Sequence, residues 1–254
     1  MTQSLAVLET TETRSTPTSN GAVPYADLLP PLESGDRLSR VEFERRYNAR
    51  PDIKKAELIE GVVYVASPVR VRQHGLPHQR ISTWVGIYCA ETPGVIAADN
   101  STLRLDTDNE PQPDLSVWID NALGGQATVS DDDYLEGAPE LLIEIAASSA
   151  AYDLHDKLNA YRRNGVQEYL VLQVYEQQAV WYRWHEGSYQ PMAPDEHGIL
   201  HSQVFPGLRL DPARFWAGDL AGVLAVLRQG LDSPEHTDFV RTLQANRPQR
   251  QDEG

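Results

Sequence analysis

Glu144 is the only ionisable side chain in the apolar run Leu141–Ala146 (LLIEIA). Burying a carboxylate in such a run costs several kcal/mol unless it is paired, protonated or metal-bound. A structural ion pair would satisfy it as well as a functional site would. Asp114 follows Pro113 and opens the alternating segment DLSVWI, on the more polar face with Ser116 and Trp118. An acid at a strand start is ordinarily solvated. Glu57 is second in the AELIEG stretch, on the face of its strand that also carries Ile59. Lys157 is one of only three lysines, with Lys54 and Lys55, among 22 basic residues. It lies four residues after Asp153, the spacing of a surface pair contributing roughly 0.3–0.5 kcal/mol. It also lies between Leu154 and Tyr161 at helical spacing, on the border of a buried stripe. A lysine there, in a chain that otherwise uses arginine, points to a compact charge aimed at an anion. Converging carboxylates bind a hard divalent cation such as Mg²⁺. Such an ion activates water and stabilises a phosphoryl transition state, and a neighbouring lysine offsets the developing negative charge. Clustered acids also repel one another, so without a metal at least one of the three should have a raised pKa.

The elements that must position these residues are readable from periodicity. Ser39–Glu42 has capping-box spacing and predicts a helix to about Tyr47. Residues 56–66 predict a hairpin turning at Glu60-Gly61. Ile81, Trp84, Val85 and Tyr88 recur at helical spacing in a helix from Pro77 to about Ala90. Short strands follow at 95–98 and 102–105, then 114–119. Residues 121–137 read as an acidic, glycine-containing loop. Leu141–Ala146 is apolar on both faces, as a central strand should be. A helix from Ala151 to Asn164 closes at Asn164-Gly165. Two strands at 169–174 and 179–184 and two peripheral helices, 220–227 and 237–243, complete the pattern. The fold class is mixed α/β, with a central sheet flanked by helices. The division expected is a disordered arm over residues 1–36, a main domain over 37–216, and peripheral helices with a polar tail over 217–254.

Composition narrows the function. The 254 residues are 41% hydrophobic and carry a net charge of −15. A substantial core is affordable, and a generally polyanion-binding surface is disfavoured. A local basic rim drawn from Arg70, Arg72, Arg80 and Arg104 stays open. The single cysteine, Cys89, excludes an internal disulfide and a cysteine-based zinc site. No apolar run reaches the roughly 18 residues of a membrane span, and the first residues lack the pattern of a secretory signal, so a cytoplasmic protein without membrane contact is expected.

The order of AELIEG, PHQRI, PQPDLSVW, GAPELLIEI, YDLHDKLNAYRRNGVQEYL and FPGLRL resembles the Uma-two family, restriction-endonuclease-like proteins of the PD-(D/E)XK nuclease superfamily. The resemblance runs from about Glu57 to Leu210. It implies a restriction-endonuclease-like mixed sheet flanked by helices and a metal-dependent endonuclease acting on DNA. It implies Glu57, Asp114 and Glu144 as ligands of Mg²⁺ or Mn²⁺, with Lys157 and His78 completing the catalytic set. The superfamily lysine two residues beyond the second acid is replaced here by Ala146, and Lys157 on the next helix is its substitute. The family's Ser-Pro-Ser-Thr is Ala147-Ser148-Ser149-Ala150 here, and Leu170 stands where an aromatic is common. Double-strand cleavage in the superfamily often uses two copies, which implies a homodimer, although no residue pattern fixes one.

Two other readings remain beside this one. A catalytically inactive nucleic-acid-binding or protein-interaction module could occupy the same fold. A two-carboxylate glycosidase is disfavoured by the lysine and by the lack of a sugar-stacking motif. His74 and His78 have the spacing of a zinc pair, but Gly75 and Pro77 argue against one helix face. Asp131–Asp133 lacks the alternating ligand spacing of a calcium loop. Trp181 and Trp184 are expected to pack the late strands.

Overall fold

The structure is a computed structural model and describes residues 29–66, 68–147 and 153–247. The Thr/Ser-rich stretch up to residue 28, Ser148–Ala150 and the helix start expected at Ala151 lie outside the described residues. The described residues from Leu32 onward form one compact unit, with Leu32 itself buried among Phe43, Leu58 and Val63, so the arm expected to be disordered to residue 36 is ordered at its end.

Strand β1 (Ala56–Ile59) and strand β2 (Val62–Val65) form the expected hairpin, with Glu57 opposite Tyr64. Its turn places Glu60 and Gly61 at φ 52° and 72°, the left-handed pair of a type I′ turn, which matches the twist of the flanking strands. Helix α1 (Arg40–Asn48) starts after Ser39, but no side-chain cap forms there. Glu42 instead binds Arg45 and Arg46, and these charged partners outcompete the capping box.

The central sheet has six strands. Strand β3 (Val95–Asp99), strand β5 (Leu115–Ile119), strand β8 (Leu141–Ala146), strand β9 (Glu168–Gln173), strand β10 (Gln178–His185) and strand β11 (Ser188–Pro191) lie in the spatial order β11-β10-β9-β8-β5-β3. Only β8 and β9 pair in parallel; the other contacts are antiparallel. The fold class is the expected one, and β8 is buried at every position. Residues 121–137 depart from the loop reading. Strand β6 (Thr128–Val129) and strand β7 (Leu135–Glu136) join strand β4 (Leu103–Arg104) in a small second sheet. Strands of two residues carry no periodicity that a sequence could reveal. Strand β12 (Leu200–His201) and strand β13 (Arg209–Leu210) form another two-residue ladder.

One face of the sheet is covered by helix α2 (Leu76–Glu91), whose Ile81, Trp84, Val85 and Tyr88 are buried with Leu115, Val117 and Ile143. Trp84 meets Trp181 edge-on, while Trp184 stays 39% exposed. Helix α3 (Leu158–Arg163) covers the other face, where Ala160 and Tyr161 pack with Trp118, Leu142, Ala146 and Val171. A wide five-residue turn precedes each of these helices, Val71–Gly75 before α2 and Asp153–Lys157 before α3. Helix α4 (Pro212–Ala217), helix α5 (Leu220–Leu231) and helix α6 (Pro234–Ala245) follow. The last two were expected at the periphery, yet Val223, Leu227 and Leu243 belong to the main core. Among the described residues no helix is long and apolar enough to cross a membrane.

Candidate functional site

The hairpin, the central sheet and helix α3 meet where the candidate residues converge. The segment preceding β5 runs beside β1: Leu58 and Glu110 exchange backbone hydrogen bonds, and the Gln112 N–H donates to Glu57 Oε1 at 2.7 Å. This pairing fixes Glu57 close to the start of β5, where Asp114 sits. Strand β5 pairs with β8 through Leu115–Ile143, so one step further along the register Asp114 lies across from Glu144, on the same face. The Ile145 N–H donates to Asp114 Oδ2 at 2.7 Å.

Lys157 joins the acids. Its Nζ is 2.9 Å from Glu57 Oε1 and 2.8 Å from Glu144 Oε1. The Tyr161 hydroxyl donates to the same Glu144 oxygen at 2.9 Å. Glu57, Asp114, Glu144 and Lys157 are only 7%, 3%, 3% and 2% exposed, so these are buried charges compensated by one another. The surface pair with Asp153 would leave Lys157 in solvent, and its burial contradicts that picture. The Asp153 side chain lies outside the described residues.

His74 and His78 flank Asp114. The His74 ring donates from Nε2 to Asp114 Oδ1 at 3.0 Å, and His78 donates from Nε2 to the Asp114 backbone carbonyl at 3.1 Å. The rings stand 5.5 Å apart, because the wide turn before α2 brings His74 onto the side of the site despite Gly75 and Pro77. Burial pushes the Asp114 pKa up, but the His74 hydrogen bond, the His74 and Lys55 charges and the Ile145 N–H outweigh it. Asp114 therefore lies below the ordinary carboxylate value, which reverses for this residue the rise expected from acid–acid repulsion. Burial, followed by the Glu144 charge, holds the Tyr161 hydroxyl well above its usual range, so it remains a donor.

Four contributors escaped the sequence reading. His74 shows in the sequence only as one half of the His-x₃-His spacing, which points to zinc and not to a partner of Asp114. Tyr161 was read only as part of an apolar stripe. Gln112 acts through its backbone, which no side-chain pattern reveals. Lys55 lies near Asp114, with its Nζ 3.3 Å from Asn100 Oδ1 and the Asn100 N–H directed at the Asp114 carbonyl. Of the four arginines considered for a basic rim, Arg104 is committed elsewhere, to Glu44, Asp132 and Glu136. The Asp131–Asp133 loop supplies one of those partners.

Mg²⁺ typically takes one or two carboxylates and completes its shell with water and substrate phosphate. Asp114 and Glu144, hard oxygen donors on adjacent strands, suit that role in kind. Among the described residues, however, no group of three or more His, Cys, Asp or Glu side chains is arranged to hold a metal ion. Glu57 reaches Glu144 through the Lys157 ammonium.

A family model described as "Uma2: Putative restriction endonuclease" matches residues 40–213. The chain belongs to the Uma2 family. That match includes the hairpin, the six-stranded sheet and all four candidate charged residues. A crystal structure from Anabaena variabilis ATCC 29413, described as "a putative nuclease belonging to DUF820", matches with a TM-score of 0.52 and 16% identity. The match covers 68% of this chain and 96% of that one, and at that identity it bears on the fold alone. No curated protein matches the sequence. Membership of the Uma2 family supports a nuclease-like function, to which the geometry gives the chemical detail that follows.

Proposed function

We propose that this chain is a metal-dependent endonuclease that hydrolyses phosphodiester bonds in DNA. The observation that carries the reading is the buried Lys157 ammonium, shared by Glu57 and Glu144 beside Asp114. Asp114 and Glu144 are the carboxylates that would hold Mg²⁺ or Mn²⁺, which when bound supplies Lewis acidity and an activated water.

Every other role belongs to the chain. Glu57 and Glu144 aim the Lys157 ammonium, which offsets negative charge developing on the phosphoryl oxygens. Tyr161 fixes the orientation of Glu144, and His74 that of Asp114. His78 holds the Asp114 backbone. Glu57 is assigned to positioning the lysine more than to the metal, since Gln112 N–H and Lys157 already engage its carboxylate.

Nicking of supercoiled plasmid at low salt, with Mg²⁺ or Mn²⁺ and with EDTA as the control, tests the proposal. Metal-dependent nicking that disappears in Glu144→Gln supports it. The same arrangement also suits an inactive binding module, because Lys157 neutralises the acids without a metal. Binding of DNA without cleavage under either metal would establish that second reading.

A further inference from the structure

Residues Pro68–Leu76 link the hairpin to α2 and are unlike the rest of the surface. Eight large apolar side chains are exposed among the described residues, and three of them, Val69 (73%), Val71 (71%) and Leu76, fall in this segment. Arg70 and Arg72 alternate with the two valines and are exposed. Neither arginine has a carboxylate partner among the described residues, whereas most of the surface arginines around α1 and α4 do.

The segment is tied to the site at one end. His74, on the wide turn, donates to Asp114. The turn is closed by the His74 and Gly75 N–H groups donating to the Arg70 carbonyl. Arg70 thus shapes the turn through its backbone and leaves its guanidinium to the solvent. Lys55, just before the hairpin, reaches Asn100, whose N–H is directed at the Asp114 carbonyl near the start of β5. Arg70 and Arg72 lie four and two residues before His74, whose ring reaches Asp114, and in a chain of net charge −15 cations placed so close along the chain to a buried acidic centre solve a specific problem. An anionic backbone must approach Asp114 and Glu144 against their charge, and fixed positive charge at the entrance lowers that barrier locally.

We propose that Val69–Arg72 is the strap that grips the polynucleotide backbone next to the reacting phosphate. Arg70 and Arg72 contact the flanking phosphates, Lys55 completes the cationic edge, and the exposed valines lie against the sugars. This inference rests on the nuclease reading for its ligand and says which part of the chain holds it. Paired arginines suit phosphate by their forked donors. A protein partner would have to bury both guanidinium groups, and nothing on the exposed valines alone requires one.

The test measures binding and cleavage separately. Binding of a fluorescein-labelled 30-bp duplex is followed in EDTA over a salt series for wild type, Arg70→Gln/Arg72→Gln and Lys55→Gln. Each lost phosphate contact should lower the salt slope by about 0.9, so the double variant should lose about two, with affinity down about tenfold or more. Its melting temperature should stay at the wild-type value, because the Arg70 carbonyl still closes the turn. Plasmid nicking by the arginine double variant should show a raised KM with kcat little changed.

If wild type cleaves while the double variant keeps its salt slope and KM, the strap is overturned and the nuclease reading stands. If wild type binds without cleaving and the slope still drops in the double variant, the strap stands and the catalytic reading falls. If wild type neither binds nor cleaves, both fall. If Val69→Ser/Val71→Ser converts an oligomer to a monomer while the arginine variant changes nothing, the segment is a contact between copies of the chain and the strap is again overturned.

Discussion

Lys157 Nζ lies 2.9 Å from Glu57 Oε1, which joins the first hairpin of the chain to the helix that follows the central strand. Both side chains are buried, so the contact is worth much more when broken than a surface pair would be. Removing one partner of a buried ion pair typically costs about 3–5 kcal/mol. Lys157→Ala should therefore destabilise the protein by about that amount, as well as lowering nicking about 10²–10³-fold. Urea unfolding separates the two effects. A loss below about 1 kcal/mol would show that the pair is not compensating buried charge. Lys157→Arg should restore part of the stability and little of the cleavage, since a planar fork cannot reproduce a compact ammonium.

Metal binding should be visible without turnover. A ligand present at about 100 times its Kd raises stability by about 2.7 kcal/mol. MgCl₂ or MnCl₂ should raise the melting temperature of wild type by a few degrees and leave Asp114→Asn unmoved. Equal shifts in both proteins would remove Asp114 from the ligand set.

His74 governs the titration of Asp114. The folded-state pKa of Asp114 lies below its ordinary value of 3.8. Its contribution to stability is therefore present above that value and is lost as pH falls through the folded pKa. His74→Ala removes the hydrogen bond that does most to offset burial, so the Asp114 carboxyl should titrate at higher pH, readable by ¹³C NMR. An unmoved titration would mean that the Ile145 N–H and Lys55 hold Asp114 down without His74.

Glu110 should make the protein less stable in mild alkali. Burial, then the hydrogen bond and charge of Glu44, raise its pKa to about 8, and its Oε2 is buried with no hydrogen-bond partner among the described residues. Between its ordinary value of 4.5 and about 8 the folded state holds a proton that the unfolded state releases. The stabilisation is complete below 4.5, falls as pH rises, and is gone above about 8. Glu110→Gln keeps a neutral side chain of the same shape and should flatten this dependence. Urea midpoints at pH 6 and pH 9 check it, and an identical decline in both proteins would show that Glu110 is not responsible.

What the sequence made legible follows from where its signals are local. Glu144 stood out because a lone acid in an apolar strand has few explanations. Asp114 and the hairpin turn were readable because proline and Glu-Gly mark strand starts and turns. Lys157 stood out through its rarity and its place beside the buried stripe of Leu154 and Tyr161, although the spacing to Asp153 offered a surface pair as the alternative. A regular helix from Ala151 implied a surface pair with Asp153, whereas the wide turn Asp153–Lys157 changes the direction of the side chains that follow. The same irregularity hid His74, since Gly75 and Pro77 argue against one regular helix face, whereas the wide turn Val71–Gly75 still brings the His74 and His78 rings together beside Asp114. The small sheet of β4, β6 and β7 and the part played by Gln112 N–H depend on backbone contacts between distant segments. No spacing within one stretch of chain encodes those.

Several polar links bind the hairpin to the helical segment behind it. Besides Lys157 and Glu57, the Tyr64 hydroxyl donates to Asp156 Oδ2 at 2.9 Å and Arg163 donates to Glu60 Oε1 at 2.7 Å. All six strands of the central sheet come after residue 94, but the cation at the site is aimed from residues 57–64. The shortest piece of this chain that keeps the site must therefore begin upstream of Ala56, well before the sheet itself starts.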